Sequence, residues 1–317
     1  MGGSPISSYD MRIYYDERRP EIKTASCATQ VFKRERMFTA FDPSRIKLPR
    51  EACDSVLSPH SRGIILAEDV TGSMDKYLLS LIKDDFPRLM PMIYDSVSYN
   101  PHIMFMGVGD VAVGDEAPLQ VTQFETDLRI LEQFEKIYLE RGGGSNPYES
   151  YILPWYFAAN HVKMDCLDKR GEKGFLFTFG DEEPTPRITA NEIKAVFGEN
   201  DTLDVRMLTG EDCLEMASEK FHCYHILLRG GGYCQTTIDK WRKLMGSHVC
   251  DLGDNHEYIP ELVTTILRMY EGMSKTEAID KIQSYPAKSA VIKALVWHEE
   301  VVADTHVNTE NSDIDVF

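Results

Sequence analysis

The chain has 317 residues, 43% of them hydrophobic and 27% charged, enough to bury a sizeable core in one large domain or two small ones. Its formal net charge of −17 weighs against non-specific binding to nucleic acid, whose phosphates require Lys and Arg. No apolar run approaches the roughly 20 residues of a membrane span, and residues 1–8 lack the basic and apolar parts of a secretory signal.

Ile6 also stands where a myristoylation pattern requires Ser or Thr, so a cytoplasmic protein is expected, with no membrane and no nucleic acid among its partners. The seven cysteines (Cys27, Cys53, Cys166, Cys213, Cys223, Cys234, Cys250) show no CxxC pair and are expected to be free thiols. Cys223 and Cys250 lie in apolar runs and read as small core residues. His222 and His225 flank Cys223, but on a strand they face opposite sides of the sheet, which argues against a soft-metal site.

In chain order, residues 1–60 show no sustained periodicity and are interrupted by Pro5, Pro20, Pro43, Pro49 and Pro59. Residues 11–15 and 30–32 read as short strands or extended arm, and the whole region as an N-terminal extension partly wrapped on the body. It is rich in basic residues (Arg18, Arg19, Lys33, Arg34, Arg36, Arg45, Lys47), whereas the segment after His298 carries acids and no Lys or Arg. The basic arm reads as a solvated flank; docking on an acidic partner, or on the protein's own acidic body, is the alternative.

A regular pattern begins at residues 63–67 (GIILA), a continuous apolar run of the kind that marks a strand buried on both faces. It ends in Glu68-Asp69-Val70-Thr71-Gly72-Ser73. Tyr77, Leu78, Leu81, Ile82, Phe86, Leu89 and Ile93 then recur near helical spacing, with Pro87 and Pro91 predicting a kink or break. Residues 102–108 form a second buried strand closed by Gly109-Asp110, and residues 119–124 a short third. A helix is predicted over 127–139, and another over 145–159 with Ser145 or Asn146 as N-cap and Pro147 near its first position. Residues 174–179 (GFLFTF) are a further strand, closed by Gly180-Asp181-Glu182-Glu183. Helices near 191–197, through 241–244 and over 259–270 alternate with strands at 223–228 and 248–252. Residues 273–296 add one or two helices, and the acidic tail from about 299 is expected to be disordered.

Apolar strands alternating with helices predict an α/β fold: a doubly wound, mostly parallel, Rossmann-like sheet covered on both faces. Right-handed crossovers bring the C-terminal ends of its strands to one edge. Three segments meet there: Asp69-x-Thr71-x-Ser73, Gly143-Gly144-Ser145-Asn146 and Gly180-Asp181. Two carboxylates and three hydroxyls are hard oxygen donors, suited to Mg²⁺ and also to Mn²⁺ or Ca²⁺; with no His or Cys among them, zinc is not expected. The Asp-Val-Thr-Gly-Ser loop alone reads as a capped turn, and only the three segments in order single out a site.

That order resembles the von Willebrand factor A-type domain with its metal-ion-dependent adhesion site: strand, Asp-x-Ser-x-Ser loop and helix, then Gly-Gly-Thr opening a later helix, then a strand ending in an Asp-bearing loop. Asp69, Thr71 and Ser73 match the first motif, Ser145 the Thr position and Asp181 the later Asp. Thr71 for Ser and Ser145 for Thr both keep a hydroxyl. Residues 241–269 (WRKLMGSHVCDLGDNHEYIPELVTTILRM) are similar to the family's closing helix, edge strand and last helix. The resemblance covers residues 61–273, leaving 1–60 as an N-terminal arm, 274–298 as a C-terminal helical segment and 299–317 as the tail. It implies a metal held directly by the hydroxyls and through water by the Asp residues, with a partner's Asp or Glu completing its shell. Asp110 stands at the end of a neighbouring strand, placed equally for the rim or for a metal shell. Glu68, Glu116, Glu182 and Glu183, with Asp115 nearby, add acid, and the Glu residues read as a solvated rim, the alternative being that their charge raises metal affinity.

The function expected on this resemblance is an intracellular, metal-dependent protein-binding module, a scaffold or adaptor and not an enzyme. The competing readings are a Mg²⁺-dependent phosphohydrolase of the haloacid dehalogenase type and a structural subunit of a larger assembly. The first lacks the second acid two residues after its nucleophile, since position 71 is Thr, and no GKS or GKT follows Gly142–Gly144 to make a phosphate loop. Gly230–Gly232 reads as a plain strand-to-helix turn.

Overall fold

A computed structural model describes residues 6–140, 146–199, 201, 205–229 and 233–299. Six strands form the central sheet: β1 Ser61–Asp69, β2 Asn100–Val108, β3 Leu119–Val121, β4 Gly174–Gly180, β5 Phe221–Leu228 and β6 Val249–Gly253. Their order across the sheet is β6-β5-β4-β1-β2-β3. All neighbours run parallel except the edge strand β3, which is antiparallel to β2. This is the doubly wound, mostly parallel α/β sheet that the alternation of apolar runs predicts.

The period of two along each strand divides the core. Ile64, Leu66, Ile103, Phe105, Phe175, Phe177 and Ile226 bury into one cluster; Ile65, Ala67, Met104, Met106, Leu176 and Leu227 bury into the other. The principal helices, in chain order, are α1 Ser8–Ile13, α2 Asp75–Ser80, α3 Phe86–Tyr94, α4 Arg129–Phe134, α5 Ile152–His161, α6 Ala190–Phe197, α7 Gly210–Ser218, α8 Gln235–Met245, α9 Ile259–Tyr270, α10 Lys275–Asp280 and α11 Tyr285–Ala294. The first cluster is closed by α1 to α4 and α9 to α11, and the second by α5 to α8. Every interior strand is therefore apolar on both sides.

Residues 11–15 are helical and not a strand or loose arm. Ser7 and Asp10 form a reciprocal capping box at the start of α1, and Met11, Tyr14 and Tyr15 bury into the first cluster. Residues 28–30 make a 3₁₀ turn, with Val31 and Phe32 buried beside it. The apolar segment at 77–93 is interrupted by a π-helical turn, Leu81–Asp85, before α3 opens with Pro87 in its first turn and continues through Pro91.

The helix predicted over 127–139 shortens to α4 because Gln120 takes the Tyr138 backbone in two hydrogen bonds of 2.8 Å, pulling that segment onto the sheet edge. The next helix starts at Ile152 and not near Pro147. Ser150 N–H donates to the Gly109 carbonyl at 3.0 Å and Glu183 N–H to the Pro147 carbonyl at 3.0 Å, which holds 147–150 out of helical geometry. Two short pairs, Arg50–Ala52 with Val162–Met164 and Arg187–Thr189 with Met207–Thr209, complete the strands described.

Cys223 and Cys250 are buried and all seven thiols are free. His222 lies on the Tyr270 ring at 4.0 Å and His225 on Trp241 at 3.4 Å, on opposite faces of β5. Among the described residues, no helix is long and apolar enough to cross a membrane.

Candidate metal centre

From β1 the chain moves outward to β2 and β3, then returns to lay β4 on the other side of β1. The crossovers leaving β1 and β4 thus diverge, opening a crevice at the C-terminal ends of these two strands, where doubly wound sheets place their ligands. Asp69 is the last residue of β1, and Asp181 follows the last residue of β4.

Asp69 is fully buried and its carboxylate is held on both oxygens. Oδ1 accepts from the Thr71 N–H at 2.9 Å and the Thr71 hydroxyl at 2.6 Å; Oδ2 accepts from the Tyr151 hydroxyl at 2.8 Å. Across the crevice the Ser73 hydroxyl donates to Asp181 Oδ1 at 3.1 Å. The loop thus turns back on the strand ends and aims two hydroxyls at two carboxylates. Burial pushes the Asp69 carboxyl up to about 7, with the Asp181 charge adding to it and the Thr71 and Tyr151 hydrogen bonds opposing.

Tyr151 reaches this position across Gly180. A Cβ built on Gly180 would lie 1.9 Å from the tyrosine oxygen, so only glycine admits the ring. The Trp241 and His225 rings pack edge-on to the same tyrosine at 5.4 and 5.1 Å. Trp241 also donates its indole N–H to the Glu182 carbonyl at 2.8 Å, tying α8 to the loop that carries Asp181.

Asp110 is buried at the end of the path from β2. Its oxygens accept from Ser150 Oγ at 3.0 Å, Asn146 Nδ2 at 2.5 Å and the Ala112 N–H at 2.9 Å. Beside it, Glu149 is buried, and its Oε2 has no hydrogen-bond partner among the described residues. Burial raises the Glu149 carboxyl to about 10, and the charges of Asp69, Asp110, Asp115 and Glu182 push the same way. Glu182 is raised by burial, by Asp181 and by Glu183.

Glu68 is not part of a solvated rim. It is fully buried on the opposite face, where Oε2 accepts from the Tyr77 hydroxyl at 2.9 Å, Oε1 has no partner, and burial lifts its carboxyl to about 8. Glu182, Glu183 and Asp115 are partly buried, whereas Glu116 is exposed.

Of the predicted donors, Asp69, Thr71, Ser73 and Asp181 come together at the crevice; Asp110 lies in the adjoining network; Ser145 and Gly142–Gly144, like Gly230–Gly232, fall outside the described residues. Among the described residues, no three acidic, His or Cys side chains converge closely enough to enclose an ion, so a cation here would draw on hydroxyl oxygens and water beside its carboxylates. The donor set fits that role. A hydroxyl that gives its proton to a carboxylate keeps its lone pairs for a cation. No Lys, Arg or His pairs with Asp69, Asp110 or Glu149 among the described residues, and a buried carboxylate oxygen on Glu149 stands unpartnered.

Sequence reasoning passed over Glu149 and Tyr151. Their one signal was Gly180, a glycine closing an apolar strand where a side chain would otherwise pack.

No family model matches this chain, and no curated protein matches it. Among solved structures, two of the pilus adhesin SpaC from Lactobacillus rhamnosus GG align at 10% identity over 68% of this chain and 31% of theirs, with TM-scores of 0.44 and 0.43. A von Willebrand factor type A structure from Catenulispora acidiphila aligns at 10% identity over 66% of this chain and 41% of its own, with a TM-score of 0.35. This chain therefore spans well under half the length of each. The α/β architecture stands on the strand order and pairing described above.

Proposed function

We propose that this chain is a protein-binding module whose β1–β4 crevice holds one divalent cation, Mg²⁺ in the first instance, and offers it to a carboxylate of a partner protein. The observation that carries the reading is the meeting of Asp69 and Asp181 with the hydroxyls of Thr71 and Ser73 at the point where the strand order reverses. Bound there, the ion would supply a point of ligation for a carboxylate in a partly dry setting, where it counts for more than at an exposed ion pair. Thr71 and Ser73 would hold it, Asp69 and Asp181 would balance its charge, and Tyr151 would keep Asp69 in place.

The same geometry favours binding over catalysis. A nucleophilic Asp needs an exposed oxygen, whereas Asp69 is buried with three hydrogen bonds on its two oxygens. Position 71 offers a hydroxyl where a phosphohydrolase needs a second acid. The free thiols suit a reducing compartment, so the setting we propose is cytoplasmic. Affinity capture with and without EDTA, followed by mass spectrometry, tests the proposal: a defined partner should be lost in chelator and restored by Mg²⁺, and Thr71→Ala should mimic the chelator. Capture indifferent to EDTA, together with Mg²⁺-dependent turnover of a phosphate ester by the purified chain, would overturn it.

A further inference from the structure

The basic residues of the N-terminal region do not scatter into solvent. Where the π-helical turn Tyr14–Arg18 approaches α4, a cavity of about 530 Å³ opens, lined by Arg18, Arg19, Lys33, Arg34 and Lys136. Its floor includes Tyr14 and Val31, both buried. Two acids also line it, and one is already committed: Glu135 accepts from the Tyr14 hydroxyl and pairs with Arg19. The other, Glu132, lies 3.9 Å from Arg18 with both side chains about half exposed, a pair that solvent largely screens. Lys33 and Lys136 pair with no carboxylate among the described residues. Counting the lining charges, five cations against two carboxylates leave a surplus of three on a chain whose net charge is −17.

We propose that this cavity docks a short acidic polypeptide segment of a partner protein, at a surface distinct from the candidate metal centre. Guanidinium groups match carboxylates in paired hydrogen bonds, and the lysines add point charges. The cations come from three stretches of chain and line one cavity, so together they suit a ligand that carries several carboxylates. Lys33 and Arg34 also line a second cavity of about 460 Å³ with Phe32, Tyr138 and one acid, Glu35. The two cavities share that basic pair, so the positive surface continues past the first cavity, which suits carboxylates spaced along a chain. A nucleic-acid strand or an anionic bilayer would bring its charge against the acidic remainder of the surface, whereas a short segment touches only the basic patch.

The test uses the full chain and a fluorescein-labelled octaglutamate peptide, read by anisotropy at low salt. The expected result is saturable binding that weakens as salt rises. The double variant Lys33→Glu/Lys136→Glu should bind roughly tenfold more weakly or worse, with an unchanged thermal melt because both side chains are exposed. Peptide binding should be the same in EDTA as in Mg²⁺, which separates this surface from the candidate metal centre, where a carboxylate would require the cation. Absence of peptide binding, or equal affinity in the double variant, would overturn the proposal. So would tighter binding of a labelled single-stranded oligonucleotide or of phosphatidylserine vesicles. A marked gain in peptide affinity on ending the chain after Glu299 would assign the cavity to the chain's own acidic segment instead.

Discussion

Asp85 ends the π-helical turn before α3 with its side chain wholly buried and neither carboxylate oxygen hydrogen-bonded; Arg88 approaches only to 3.9 Å. Burial raises its carboxyl from 3.8 to about 7, with Arg88 opposing. A carboxyl raised by folding binds its proton more tightly in the folded chain. The stability it contributes is therefore present in full below about pH 4 and lost as the pH climbs through about 7, a difference of about 4 kcal/mol at most. Urea midpoints measured from pH 5 to 8 should fall in the parent and fall distinctly less in Asp85→Asn; parallel slopes would show that Asp85 is not the group responsible. At the candidate metal centre, Tyr151→Phe removes the donor to Asp69 Oδ2 found among the described residues and leaves the ring over Gly180. Mn²⁺ affinity should drop roughly tenfold, as for loss of a group that positions a ligand. Unfolding free energy should change by only about 1 kcal/mol. A large loss of stability with unchanged affinity would make Tyr151 a packing residue only.

At the scale of elements, α10 and α11 belong to the same core as the sheet. Ala278, Ile279, Ala287, Val291 and Leu295 are buried against the cluster that includes Tyr270 and Leu252. Ending the chain after Met273 should strip this cover and lower the melting temperature by ten degrees or so, or abolish folding. Ending it after Glu299 should leave the melt unchanged; a drop of several degrees there would show that the acidic segment contributes to stability. The interior strands were legible in the sequence because both their faces are covered, so GIILA and GFLFTF read as unbroken apolar runs. The three-residue pairs at 50–52 and 187–189 are too short to display any period. Asp69, Thr71, Ser73 and Asp181 were legible as a group because each follows a strand end, where topology alone fixes its edge. Glu149 and Tyr151 were not, because their approach depends on residues 147–150 staying extended. Thr185 donating to the Glu149 carbonyl and Ser150 N–H to that of Gly109 impose this from distant segments. The capped helix at residues 8–13 was missed for a related reason: six residues give little periodicity, and the tyrosines that anchor it find their partners far along the chain.

Across the whole molecule, an apolar framework supports an edge crowded with acids. Both faces of the sheet are covered by apolar side chains, so a cation at the crevice should matter more to recognition than to folding. Removing it would restore repulsion between Asp69 and Asp181, a modest loss of stability with secondary structure intact. Asp69, Thr71, Ser73 and Asp181 are proposed to hold one divalent cation. Isothermal titration of Mn²⁺ into the purified chain, beside Asp69→Ala and Thr71→Ala under identical conditions, tests it most directly. One site should be seen in the parent, weakened about tenfold or more in each variant while their circular dichroism matches the parent's. Equal affinity in parent and variants, or no Mn²⁺ uptake by the parent, would contradict it.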